Sequence, residues 1–173
     1  MVTKAPTVSV VISTYNSAKT LKTAIRSVLL QEYSDFEIWI VGDGCTDNSP
    51  EVVASFADDR LHWVNLPQNS GSQSMPNNEG VRQANGMYIA FLGHDDLWLP
   101  AHLRLLVEAL ERDKADFVYC LTAWLSSDGK HVVSGQKQDF SEKEEHFAKN
   151  SETGSHMPNH HFLIHYSPPL ISI

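Results

Sequence analysis

The 173-residue sequence has few cysteines: Cys45 and Cys120 are its two, at no spacing that a zinc site or redox pair uses. A reducing compartment is therefore the expectation, and Cys120, set in an apolar run, reads as a core residue. Basic charge is scarce as well. Thirteen Lys and Arg stand against 21 Asp and Glu, for a net charge of −8. That argues against nonspecific phosphate-backbone binding as the main activity, so no nucleic-acid partner is expected, while leaving room for a local pocket in which a metal neutralises a nucleotide's charge. Long hydrophobic runs are missing too. No stretch nears the roughly 20 apolar residues of a membrane span, and "MVTKAPTVSVVIS" lacks a signal-peptide pattern. The expected location is the cytoplasm, extending to peripheral association with the inner face of the membrane.

What is present is globular: 42% hydrophobic and 20% charged residues, enough chain for one buried core. "TVSVVIS" (7–13) is β-branched without polar alternation, the pattern of a strand buried on both faces. Asn16 or Ser17 can cap a following helix, whose Leu21, Ala24, Ile25, Val28 and Leu29 form one apolar stripe. "EIWIVG" (37–42), "LHWVNL" (61–66) and "MYIAFL" (87–92) read as further strands. Pro50 suits the first turn of a helix with Val52, Val53 and Phe56 turned inward. Residues 67–80 read as a loop entering a short helix, and Leu103, Leu106, Val107 and Leu110 give another helical stripe. "DFVYCLTAWLSSDGKHVVSG" reads as a long strand, an Asp128-Gly129 turn and a returning strand, and Ser141 with Glu144 as a capping box for a helix through Lys149.

This alternation predicts an α/β fold with a mainly parallel sheet flanked by helices, in which ligands bind beyond the C-terminal strand ends. Three polar clusters fall at those ends: Ser13-Thr14-Tyr15-Asn16, Asp43-Gly44 and His94-Asp95-Asp96. Two adjacent carboxylates closing a buried strand repel each other unless a cation or a cap takes up their charge. Convergence of three polar clusters on one edge favours the cation.

The segments "VSVVISTYN", "VGDGCTDNS", "NSGSQSMPNNEG" and "GMYIAFLGHDDLWLP", in this order and spacing, resemble the inverting glycosyltransferases of family 2, which have the GT-A (Rossmann-like) fold. The resemblance runs from about Val8 to Leu103. It implies that Ser13 and Tyr15 hold the nucleotide base, although a plain βα turn with a half-buried tyrosine explains them equally. It implies that Asp43 accepts an N–H of the base, usually uracil N3–H, where cytosine presents a lone pair. Gly42 stands in place of a first aspartate that many relatives carry. Asn78 and Gly80 match an "Arg-Asn-x-Gly" element in which Asn77 replaces the arginine; Asn78 can equally cap the helix. "LGHDD" takes the place of the element that holds a divalent cation against the donor diphosphate. Asp96 is then the metal ligand, for Mn²⁺ or Mg²⁺, and Asp95 contacts the ribose or supports the metal from behind. Gly93 replaces the first aspartate of that element. His94 is either a further ligand or, on base rates for a lone histidine, a spacer pointing away.

Inverting transfer needs a general base, and the resemblance implies a carboxylate well beyond "GHDD". Asp139, Glu144 and Glu145 do not fit that role convincingly, so the base is expected past Ile173. On this reading residues 1–150 are the nucleotide-sugar-binding GT-A domain. Residues 151–173 are an irregular tail: the start of a missing acceptor region, or cloning-derived, as the tag-like Gly154-Ser155-His156-Met157 suggests. His160, His161 and His165 lie in that tail as potential chelators. The expected function is metal-dependent transfer, with inversion, from a nucleotide sugar, a UDP-sugar by the Asp43 argument. The acceptor is a saccharide, a lipid-linked sugar or a protein, with cell-envelope polysaccharide synthesis as one setting. No feature sets an oligomeric state. The alternatives are a noncatalytic nucleotide-binding module and a sugar-phosphate nucleotidyltransferase; "STYNSAKT" lacks the glycines and basic residues of the triphosphate loop in the latter.

Overall fold

The β-branched run at the start of the chain forms β1 (Val8–Thr14), every residue of which is buried. It is the strand around which the sheet is built. The computed structural model describes residues 5–120 and, beyond them, the strand segments 122–125, 131–134 and 161–164. After β1 come α1 (Ala18–Leu29), β2 (Phe36–Gly42), α2 (Ser49–Ala54), β3 (Leu61–Asn65), α3 (Ser74–Gln83), β4 (Tyr88–Gly93) and α4 (His102–Asp113). Then follow the short strands β5 (Phe117–Tyr119), β6 (Thr122–Leu125), β7 (His131–Ser134) and β8 (His161–Ile164). The large sheet has six strands in the order β3-β2-β1-β4-β8-β5. All of its pairings are parallel. The α/β architecture expected from the strand–helix rhythm is the one observed.

The apolar stripes become the core. Val8, Val10 and Ile12 pack with Leu21, Ile25 and Val28 of α1 and Leu103, Val107 and Leu110 of α4. On the opposite face Val11 and Ile89 meet Val81 of α3. That helix comes close to the sheet because position 80 has no side chain: a Cβ on Gly80 would stand 2.4 Å from Val11 Cγ1.

Two parts of the chain differ from the sequence reading. The long strand expected after Asp116 is two strands: β5 joins the large sheet, whereas β6 pairs antiparallel with β7. A strand changes ladder partners only where the chain bends, and one apolar run gives no sign of that bend. The expected Asp128-Gly129 turn and the helix ending at Lys149 lie outside the described residues. In the segment read as irregular, His161–Ile164 forms β8, inserted between β4 and β5. A strand of four residues is too short to show a period.

Candidate functional site

The parallel register brings the three polar clusters together. Thr14 lies opposite Gly42, and Ser13 opposite both Val41 and Gly93. The residues that leave these strands therefore share one edge. There they surround a cavity of about 440 Å³. Ser13, Thr14, Tyr15 and Asp43 line it from β1 and β2, and His94 and Asp95 from the end of β4. Asn69, Gly71, Ser72, Gln73 and Pro76 close it from the loop that leads into α3. A separate hollow of about 300 Å³ between α2 and β3 includes Pro50, Val53 and Trp63. Its one carboxylate, Asp58, is spent on Arg60, so it lacks converging polar groups.

The walls are cross-linked loops. Asn16 adopts a left-handed conformation (φ 46°), which asparagine tolerates, and its Oδ1 accepts the N–H groups of Thr46 and Asp47 at 2.8 and 3.2 Å. The expected cap of α1 is corrected here. Ser17 holds the N-cap position without a side-chain cap bond. Asp47 supplies the bond instead: its carboxylate accepts the N–H of Ala18 at 3.0 Å and that of Ser49 at 3.1 Å, serving the first residues of α1 and α2 together. Burial pushes the Asp47 carboxyl up, but hydrogen bonds from Ser49 and Ala18 outweigh it and hold the group below its ordinary 3.8. Such a group stabilises the fold above its unfolded pKa, and that contribution is lost as pH falls through the lower folded value. Asp47→Ala is therefore expected to cost about 1–2 kcal/mol at pH 7, the usual range for a lost cap. Urea denaturation should show the difference from the unsubstituted protein shrinking below about pH 4.

Asp43 is 5% exposed, and its N–H donates to the Thr14 carbonyl at 2.8 Å. Its carboxylate accepts the Ser70 N–H on both oxygens (3.1 and 3.0 Å) and the Ser70 hydroxyl on Oδ2 at 3.0 Å. An ionised carboxylate offers about four acceptor positions, so Oδ1 keeps capacity for a donor arriving from the cavity. Tyr15, 48% exposed, stands at the rim with an aromatic face available for stacking. Gly42 is tightly enclosed: a Cβ there would lie 2.5 Å from Asn65 Oδ1 and 2.7 Å from the Trp63 ring. Asn65 is itself fixed by bonds to both the N–H and the carbonyl of Cys45.

At the end of β4 the Asp96 N–H turns back to the Gly93 carbonyl at 3.1 Å. The two carboxylates then converge over the glycine. A Cβ on Gly93 would stand 2.5 Å from Asp96 Oδ2 and 3.2 Å from Asp95 Oδ1. The absent side chain at 93 is what leaves room for them. His94 does not point away as a spacer would. It lines the cavity, with ring Nδ1 3.3 Å from the Ser13 carbonyl.

Of the residues singled out from sequence, Ser13, Tyr15, Asp43 and Asp95 share the cavity, while Asp96 and Asn78 are not among its lining residues. Asp96 is held just behind, over Gly93. Asn78 does not cap α3, because the helix begins at Ser74, whose N–H bonds to Ser72 Oγ at 3.2 Å. It sits exposed in the middle of the helix. Ser70, Asp47 and Asn65 went unread because their partners lie 20 or more residues away.

Comparison with known proteins bears on the same elements. The chain matches Glycosyl transferase family 2 over residues 9–167, a span that includes Gly154–Met157. It is 43% identical over 107 residues to an uncharacterized glycosyltransferase of Nostoc sp., covering 60% of this chain and 33% of that one. It is 30% identical over 112 residues to WfgD of Escherichia coli, named as a UDP-Glc:alpha-D-GlcNAc-diphosphoundecaprenol beta-1,3-glucosyltransferase, covering 65% of this chain and 44% of that one. Among solved structures, residues 1–349 of S. aureus TarS in complex with UDP-GlcNAc superpose with a TM-score of 0.63 at 26% identity, over 66% of this chain and 34% of that one. The mannosyltransferase PcManGT of Pyrobaculum calidifontis, in complex with GDP-Man and Mn²⁺, gives 0.55 at 27%, over 62% and 33%. The chain thus spans about a third to a half of the length of the proteins it matches. Among the described residues no helix is long and apolar enough to cross a membrane. The family match takes in β1, β2, β4 and all three polar clusters of the cavity edge, and the chain belongs to glycosyl transferase family 2.

Proposed function

We propose that this chain binds the donor of an inverting, metal-assisted glycosyl transfer, and that the donor is a UDP-sugar. The observation that carries the reading is one cavity lined by both the buried Asp43 carboxylate and Asp95, with Asp96 beside Asp95 over Gly93. Asp43 Oδ1 accepts uracil N3–H, Tyr15 covers the ring, and Ser13 contributes from the strand end. Asp95 takes the ribose side, and Asn78 lies further along α3 as an outer contact.

Among the described residues no three His, Cys, Asp or Glu side chains form a metal cage. A cation held by one or two carboxylates and completed by substrate phosphate oxygens needs none, and the Asp95–Asp96 pair over Gly93 fits it. Asp96 is the proposed ligand, for Mn²⁺ or Mg²⁺. Bound there, the ion would supply positive charge to the departing diphosphate. The acceptor-activating base is assigned outside residues 5–120, and residues 1–150 serve as the donor-binding unit. The acceptor is a saccharide, free, lipid-linked or protein-borne. WfgD, by its name, acts on a diphosphoundecaprenol-linked sugar, which supports a lipid-linked acceptor.

Calorimetric titration tests this directly. UDP should bind more tightly than CDP or GDP, and Mn²⁺ should raise UDP affinity. Asp96→Asn should lose the Mn²⁺ gain while keeping metal-free UDP binding. Equal affinities for UDP and CDP would remove Asp43 from base recognition, and a full Mn²⁺ effect in Asp96→Asn would shift the ligand to Asp95 or His94.

A further inference from the structure

Ser70 is not among the residues that line the cavity, whereas its neighbours Asn69 and Gly71 are. Both its N–H and its hydroxyl are instead directed at the Asp43 carboxylate, at 3.0 to 3.1 Å. The same Oγ lies 3.0 Å from the Ser72 carbonyl and 3.3 Å from the Ser72 N–H. A hydroxyl has one proton, and the ionised carboxylate is the stronger acceptor for it; the oxygen's lone pairs then take the Ser72 N–H. Ser72 Oγ in turn contacts Ser74 Oγ at 2.6 Å and accepts the Ser74 N–H at the first residue of α3. One hydroxyl therefore joins the buried carboxylate to the loop wall of the cavity and to the start of a helix.

From this geometry we infer that Ser70 is a positioning residue for nucleotide-base selection. It orients the Asp43 carboxylate so that Oδ1 faces an incoming base N–H, and it pins the 69–73 wall at the distance that base requires. The inference rests on the proposed role of Asp43 and adds to it a second residue that never touches the ligand. Backbone contact alone would not suffice. The N–H is shared between both oxygens, so only the hydroxyl, bonded to Oδ2 alone, distinguishes one oxygen from the other. With the hydroxyl gone, Asp43 can rotate and present either oxygen to the loop, and the preference for an N–H over a lone pair at the base weakens.

The test is calorimetry of UDP and CDP binding to the 173-residue chain and to its Ser70→Ala and Ser70→Thr variants, with melting temperatures measured alongside. Ser70→Ala should weaken UDP about fivefold, the effect of one modest hydrogen bond, and lower the UDP-to-CDP affinity ratio by a similar factor. Ser70→Thr, which keeps the hydroxyl, should restore both. Ser70→Ala with an unchanged ratio would overturn the inference, as would a loss that threonine fails to rescue. Asp43→Ala separates the two levels. If it abolishes UDP preference while Ser70→Ala does not alter it, Asp43 reads the base without Ser70. If the unsubstituted chain shows no UDP preference, both readings fall.

Discussion

UDP affinity is expected to fall about ten- to a hundredfold in Asp43→Ala. A hydrogen bond to a charged group contributes about 1.5–3 kcal/mol, and each 1.4 kcal/mol is a factor of ten in affinity. At 5% exposure Asp43 has little water to replace a lost partner, which places the effect toward the upper end. Alanine also releases Ser70, whose N–H and hydroxyl both end on this carboxylate, so the wall of the cavity loosens with the contact. Asp43→Asn tests the charge separately. A carboxamide has one acceptor oxygen and one NH₂; with the Ser70 N–H on one side and a base N–H on the other, one donor must meet a donor. Both substitutions should therefore fail to bind UDP tightly, asparagine while retaining more of the loop. Calorimetry gives the affinities, and circular dichroism shows whether the fold persists. An alanine variant with undiminished affinity would place base recognition elsewhere.

Much of the scaffold behind this site is written locally. Val8, Val10, Val11 and Ile12 read as a doubly buried strand because apolar β-branched residues fall on both faces instead of alternating with polar ones, and they are fully buried. The stripes of α1 and α4 read correctly because an amphipathic helix repeats its signal over several turns. Val53 of α2 is buried as expected, while Val52 and Phe56 are half-buried: a six-residue helix presents too short a face to bury all three. The convergence of Ser13, Asp43 and Asp95 followed from parallel topology, which fixes which strand ends meet without fixing which side chain faces which. That last step depends on long-range contacts. Asp47 caps two helices because the loop holding it is tied to Asn16, and no spacing in the sequence records that tie. The positions of Gly42 and Gly93 read as lost aspartates. In three dimensions they are spaces filled from elsewhere, by Asn65 and by Asp96.

Gly44→Ala is expected to destabilise the protein by about 2–5 kcal/mol, the largest stability change among these substitutions, and to damage the cavity at the same time. Gly44 has φ +70°, where an L side chain costs about 1–2 kcal/mol. Its Cβ would also stand 2.4 Å from Asn69 N and 2.5 Å from Gln68 C, and overpacking typically adds about 1–3 kcal/mol. These are backbone atoms. An unrestrained side-chain end can rotate aside, whereas the main chain at 68–69 moves only if the whole loop moves. Gly71 supplies the control: its φ is +69°, but nothing lies within 4 Å of a Cβ built there. Gly71→Ala should therefore show the dihedral cost alone, about 1–2 kcal/mol in urea denaturation. The surplus in Gly44→Ala measures how firmly the loop is seated on the Asp43-Gly44 turn. Because Ser70 follows directly on Asn69, relief of the clash pulls its N–H and hydroxyl off the Asp43 carboxylate, so UDP affinity should drop in Gly44→Ala beyond any loss in Gly71→Ala. Equal stability costs for the two variants would mean that close packing against Gly44 contributes nothing to the seating of the loop.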